Sequence, residues 1–143
     1  MSRSKISFFS EDTDFTLKQK TNIRTWINTV ITTEGKSSGY LNLIFCSDNY
    51  LLNINQQYLN HDTYTDIITF DSSEEEDCIE GDVFISIDRV RENASNFGIL
   101  EKDEIHRVIV HGILHLLGYK DKSKNDKDLM TSKEDYYLSQ RQF

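Results

Sequence analysis

The chain has no proline, two cysteines and few cations for its 143 residues. Without proline, no loop is stiffened by a ring and no backbone donor is missing. Cys46 and Cys78 are far apart and form no C-x-x-C pair. That excludes a disulfide framework and a four-cysteine zinc site, and points to a reducing compartment. Long apolar runs are also missing. Met1–Phe9 has neither the apolar stretch of a signal peptide nor the length of a membrane span, so a cytoplasmic location is expected. Lys and Arg number 16 against 24 Asp and Glu, a net charge of −8. A domain that binds nucleic acid by broad phosphate neutralisation is usually basic, so this composition argues against an autonomous RNA or DNA binder. It allows a small site where a metal and a few cations hold one phosphate.

The length fits a single domain over residues 1–143. A chain of this size buries about 68–70% of its unfolded surface and needs no disulfides. Ile6–Phe9 reads as a short first strand. Between Thr16 and Ile31, Ile23, Trp26, Ile27, Val30 and Ile31 recur at helical spacing, with Trp26 in the core. Tyr40–Cys46 reads as a central strand. Ser47 or Asp48 can cap a second helix carrying Leu51, Leu52, Ile54 and Tyr58. After a polar loop, Ile67–Phe70 and Asp82–Ile87 read as strands that can pair across the acidic loop Glu74–Asp77. Asp88 is the expected cap of a helix with Val90, Ala94 and Phe97, stopped by Gly98. A helix over 100–117 and a last one with Leu129, Met130 and Tyr137 complete a β-α-β-α-β-β-α-α-α order. This is an α+β domain, a small mixed sheet packed with helices, and the histidine-bearing helix lies near the C-terminus.

That helix carries His111-Gly112-Ile113-Leu114-His115. Four residues turn a helix through about 400°, so the two imidazoles share one face. Gly118 tolerates the left-handed conformation of a helix stop, after which the chain can fold back and present Asp121. Two imidazoles and a carboxylate leave a fourth position for water, the ligand count of a catalytic zinc site. The spacing H-x-x-x-H-x-x-G-x-x-(H/D) belongs to one class of zinc hydrolase. Its peptidases carry Glu as general base where this chain has Gly112, which argues against peptidase chemistry.

His111-Gly112, Leu114-His115-Leu116 and Gly118-Tyr119 match in register the H-G-x-L-H-L-x-G-Y-D-H mark of the YbeY family of bacterial metal-dependent endoribonucleases and rRNA maturation factors. Upstream, Asn55, Tyr58, Asp62, Thr65-Asp66-Ile67 and Phe70 match N-x-x-(Y/F)-R-x-x-D-x-P-T-D-V-L-S-F, and Gly81-Asp82-Val83 matches a G-D-(I/V) strand start. The resemblance covers roughly residues 40 to 137. It implies a zincin-like fold and one zinc ion per chain. It also implies a single-strand-specific endoribonuclease acting at the 3′ end of small-subunit rRNA and in ribosome quality control. The implied partners are rRNA, the small ribosomal subunit and ribosome-associated proteins, with no membrane and no nucleotide cofactor. The metal ligands carried over are His111, His115 and, at the family's third histidine, Asp121. A carboxylate there makes the site less cationic and widens the choice of metal toward manganese or iron. The aspartate before that histidine is Lys120 here, and the family's proline positions are Tyr64 and Asp71. The arginine after Tyr58 is Leu59 here, which removes a catalytic or phosphate-holding cation.

Two other function classes stay open. One is a metal-stabilised ribosome-assembly factor with little or no nuclease activity; the other is a metal-dependent hydrolase of something other than RNA. For a nuclease, Arg107 and Lys120 are the candidate cations for transition-state charge, against a reading as ordinary surface cations. Glu104, two turns before His111 on the same face, is a candidate supporting group or base, but a solvated helix-face glutamate is the favoured reading. His106 is about 140° from His111 around the helix and should not share the metal. His61 is expected on the loop surface, and Asp62 and Asp66 in local turn bonds rather than catalysis. Lys120, Lys122, Lys124 and Lys127 alternate with Asp121, Asp126 and Asp128, which favours a solvated mixed-charge loop over an RNA-facing rim.

Overall fold

The computed structural model describes residues 5–60 and 64–143. Its elements follow the expected order: β1 (Ile6–Glu11), α1 (Lys20–Thr33), β2 (Ser37–Cys46), α2 (Asp48–Leu59), β3 (Ile67–Asp71), β4 (Cys78–Ser86), α3 (Ile87–Phe97), α4 (Glu101–Leu116) and α5 (Lys124–Ser139). The strands form a four-stranded mixed sheet in the order β1-β2-β4-β3. β2 is central and parallel to both β1 and β4. β3 and β4 pair antiparallel, with Ile67 opposite Ile85 and Asp71 opposite Gly81, so the strands on either side of the acidic loop do pair.

Alternation along the strands sends side chains to two faces. Leu41, Leu43, Phe45, Val83 and Ile85 join Ile27 and Val30 of α1, Ile109 and Ile113 of α4, and Met130 and Tyr137 of α5 in the main core. Cys46 and Ile68 point the other way, into a smaller cluster with Leu51 and Ile54 of α2. No helix among the described residues is long and apolar enough to cross a membrane.

Several expected boundaries move. α1 begins at Lys20 rather than Thr16, because Gln19 takes a left-handed conformation at φ 58°. Leu17 is still buried, but outside the helix. β2 and β4 each start earlier, at Ser37 and Cys78, which pair with each other. Ser47 caps α2 by accepting from the Tyr50 N–H at 3.1 Å. The cap of α3 is Ser86, not Asp88. The chain passes from β4 into α3 without a loop, so the last strand residue does the capping. The Asp88 carboxylate instead accepts the backbone N–H of Asp48 at 2.8 Å, at the start of the neighbouring helix. On α5, Leu129 is exposed while Met130 and Tyr137 are buried.

Gly112 has a packing role. A Cβ there would stand 2.9 Å from both Ile67 Cδ1 and Val83 Cγ1. Glycine therefore lets α4 lie close on β3 and β4, with His111 beside the start of β3.

Candidate metal centre

α4 sets His111 and His115 on one face with their Nε2 atoms 3.0 Å apart. It ends at Leu116 with Leu117 as its cap, and Gly118 then takes φ 107°. There the Gly118 N–H donates to the His115 carbonyl and the Tyr119 N–H to the Leu114 carbonyl, which satisfies two helix-end acceptors. The reversal brings Asp121 Oδ2 to 3.2 Å from His115 Nε2 and 3.4 Å from His111 Nε2. The three residues expected as ligands therefore lie together, in a group that could hold a metal ion, the one such group found among the described residues.

The second nitrogen of each ring is also engaged. His115 Nδ1 lies 3.1 Å from the Tyr119 carbonyl oxygen. A carbonyl only accepts, so Nδ1 carries a proton, which in the neutral ring leaves the lone pair on Nε2. His111 Nδ1 lies 2.6 Å from Glu134 Oε2, and an ionised carboxylate imposes the same tautomer. With both rings neutral, two lone pairs and a carboxylate oxygen face one another, a donor set suited to a cation. Bonds of about 2.0–2.2 Å in a tetrahedron separate ligand atoms by roughly 3.3–3.6 Å, and the spacings here are 3.0–3.4 Å. The donor set fits a divalent metal.

Glu134 escaped the sequence reading, and it is a second anchor of the centre. Its Oε1 accepts from Arg107 Nη1 at 2.9 Å, while Arg107 Nη2 donates to Asp135 at 2.7 Å. Arg107 is therefore neither an ordinary surface cation nor a free one for transition-state charge. It holds the carboxylate that holds His111. Burial lowers the pKa of His111, but the hydrogen bond and charge of Glu134, then Asp121 and Asp66, outweigh it and leave the imidazole above its ordinary value.

A cavity of about 320 Å³ opens beside the triad, lined by Asp66, Glu104, His111, Asp121, Lys127 and Glu134 among others. Two expectations change here. Glu104 is 4% exposed rather than solvated. Its carboxyl group makes no hydrogen bond or ion pair among the described residues, and burial followed by the charge of Asp66 raises its pKa. Asp66, expected in local bonds, does take a hydrogen bond from its own backbone, and it lines the cavity as well. Burial raises its carboxyl as well, against the lowering charge of His111. Lys127 lines the cavity too, whereas Lys120 is exposed and Lys124 pairs with Asp128 at 2.9 Å. His106 is away from the metal face as expected, against Trp26 and Phe143. His61 and Asp62 lie outside the described residues.

The sequence profile described as Endoribonuclease YbeY matches residues 5–142. The chain belongs to the YbeY endoribonuclease family. A relative named Endoribonuclease YbeY from Cytophaga hutchinsonii is 55% identical over 143 residues, covering 100% of both chains. Another of that name from Flavobacterium psychrophilum is 54% identical over 130 residues, covering 91% of this chain and 92% of its own. The solution structure of TM1509 from Thermotoga maritima is similar with a TM-score of 0.67 at 28% identity, covering 94% of this chain and 87% of that one. YbeY membership thus spans the whole mixed sheet and all three candidate ligands, Asp121 included.

A sequence signal for Glu134 did exist. Met130, Glu134 and Tyr137 fall at i, i+4 and i+7, so a glutamate sits within the buried stripe of α5. Glu104 likewise shares the face of Val108, His111 and His115.

Proposed function

We propose that this chain is a zinc-dependent endoribonuclease that cleaves single-stranded RNA at the 3′ end of the small-subunit rRNA. It would act in the cytoplasm, with rRNA and the small ribosomal subunit as partners and a role in ribosome quality control. We assign residues 1–143 to one zincin-like domain and one zinc ion to His111, His115 and Asp121. The observation that carries this reading is the convergence of three ligand atoms 3.0–3.4 Å apart in a chain of an endoribonuclease family.

A divalent ion bound there supplies Lewis acidity toward a phosphoryl oxygen and acidifies water. The chain's own groups do the rest. Glu134 and the Tyr119 carbonyl fix the two rings in one tautomer. Asp66 and Glu104 line the cavity with carboxyls raised by burial, which makes them stronger bases than ordinary carboxylates toward the proton of an attacking water. Lys127 is the cavity cation with no ion pair among the described residues, and is placed to hold a phosphate oxygen. The test is elemental analysis of wild type and Asp121→Ala, with cleavage of a small-subunit rRNA fragment alongside. One metal per chain, loosened by the substitution, and cleavage that stops on its removal are the expected results. Metal bound without any cleavage by wild type would reject the nuclease.

A second reading, the metal-stabilised assembly factor, is favoured by Leu59 and Arg107. Leu59 is 42% exposed where the family's arginine would stand, and Arg107 is committed to Glu134 and Asp135. Chelation separates the two. A structural metal, once removed, lowers the melting temperature sharply, because its binding energy is folding energy. A catalytic one abolishes cleavage with a smaller change in stability.

A further inference from the structure

Glu34 stands at the C-terminal end of α1, where the helix dipole disfavours a carboxylate. Its position therefore has a cause elsewhere in the fold. Three donors from outside α1 converge on it. Tyr119 Oη donates to Oε1 at 2.5 Å, Tyr137 Oη donates to Oε2, and Lys133 Nζ donates to Oε2 at 3.2 Å. The Lys133 ammonium also lies 5.5 Å from the Tyr119 ring centroid, in reach of its π face.

Each of these partners leads to the metal centre. Tyr119 is two residues before Asp121, and its carbonyl is the acceptor that fixes His115 Nδ1. Lys133 and Tyr137 lie on α5, where they flank Glu134, the acceptor that fixes His111 Nδ1. We infer that Glu34 is a positioning residue for the metal centre: one carboxylate clamps both the turn that supports His115 and Asp121 and the helix that supports His111. This rests on the metal-centre reading above.

The two halves of the clamp differ in redundancy. α5 has a second tie to α1, because Trp26 Nε1 donates to the Tyr137 carbonyl at 2.9 Å. The Tyr119 hydroxyl donates to the Glu34 carboxylate and takes a hydrogen bond from Lys133, itself a donor to Glu34, so both of its ties belong to the clamp. Burial opposes the ionised form of Glu34, but hydrogen bonds from Tyr119, Tyr137 and Lys133 outweigh it, so the clamp keeps its charge. Tyr119→Phe is therefore the sharper variant: it removes one oxygen and leaves the ring, the backbone carbonyl and the ligands in place.

The experiment is zinc affinity by competition with a chelator, on wild type, Glu34→Gln, Tyr119→Phe and Ser47→Ala, with melting temperatures of the metal-free proteins. Loss of an outer-shell partner typically weakens metal binding about 10–100-fold. Glu34→Gln and Tyr119→Phe are expected to lose about tenfold, the low end, because they act one residue further out. In the metal-free protein, the His115 Nδ1–H resonance should exchange faster with water in both variants. Ser47→Ala removes a distant helix cap; it should lower the melting temperature and leave zinc affinity unchanged. If Glu34→Gln does not fold, Tyr119→Phe decides alone. Zinc binding by Tyr119→Phe within about twofold of wild type would overturn the inference and leave the metal centre standing. So would an equal loss in Ser47→Ala, which would make the effect one of general stability. A wild type that binds no zinc would remove the centre and the inference together.

Discussion

His106 and His111 stand five residues apart on α4 and are driven in opposite directions. His106 is 3% exposed, packed against Trp26 and Phe143, with the Arg141 guanidinium donating to its Nδ1 at 2.6 Å. Burial first, then the charges of Arg141 and Lys102, push it down to about 4. His111 is also largely buried, yet the Glu134 carboxylate at 2.6 Å and the charges of Asp121 and Asp66 hold it above its ordinary value. The helix is common to both, so it does not decide the outcome. What decides is the sign of the partner each ring meets from another element. Burial lowers both rings; a cation from the C-terminal segment adds to that lowering at His106, and carboxylates from α5, the 119–121 turn and Asp66 overcome it at His111.

The largest effect in breaking this comparison is the loss of a ligand. Asp121→Ala should weaken zinc binding beyond the roughly 10–100-fold that an outer-shell loss costs, and abolish RNA cleavage. Chelator competition and a cleavage assay measure both, and stoichiometric zinc at unchanged affinity would exclude Asp121 as a ligand. Glu134→Gln comes next. It keeps the shape but removes the anion, so zinc affinity should fall about 10–100-fold and the His111 pKa should drop toward that of a free histidine. A proton NMR titration of the metal-free protein reads the second effect. An unmoved His111 resonance would show that Glu134 does not set its charge.

The two histidines also predict opposite pH dependences. An unfolded histidine takes its proton near pH 6.5, while His106 in the fold does so only near 4. Acid therefore protonates the unfolded chain first. The stability from a neutral His106 is full above pH 6.5 and is lost as pH falls toward 4, by about 3 kcal/mol at most. Metal-free His111 has the opposite sign. Its contribution is full below the ordinary histidine value and is lost as pH rises through the raised one. Urea unfolding of metal-free wild type and His106→Phe between pH 4 and 7 isolates the first term. Parallel curves for the two proteins would mean that His106 titrates normally.

How far each half of this comparison could be read from sequence follows from locality. His111, His115, Gly118 and Asp121 lie within a short run of chain, so helical periodicity and one glycine turn bring them together. The strand pairing across the acidic loop was legible for the same reason. Glu134 and Arg141 reach α4 from later in the chain, and their partners depend on how α5 and the C-terminal segment pack. Only the glutamate inside the Met130–Tyr137 stripe hinted at it. Asp88 was misassigned because a cap is chosen by where the chain leaves the strand, and here β4 runs directly into α3. Glu104 was misjudged because charge alone reads as solvent exposure, whereas its position on the His111 face places it in the cavity wall.

The smallest expected effect tests whether the two histidine environments are independent. Arg141→Met removes the donor to His106 Nδ1, the Nε–H donated to the Leu138 carbonyl at 2.9 Å and the ion pair with Asp103 at 3.1 Å, while keeping much of the apolar stem. Losing a hydrogen bond to a partly buried group costs about 1 kcal/mol, and the pair with half-exposed Asp103 adds little. The His106 pKa should rise, since one depressing charge is gone. It should stay below 6.5, because burial is the larger cause and persists. Zinc affinity should not change, since the His106 cluster makes no hydrogen bond or ion pair to His111, His115, Asp121 or Glu134 among the described residues. A shift in zinc affinity with Arg141→Met would show instead that α4 transmits strain from one histidine to the other. The opposite charge states would then be coupled properties of one helix rather than two local consequences of what each ring faces.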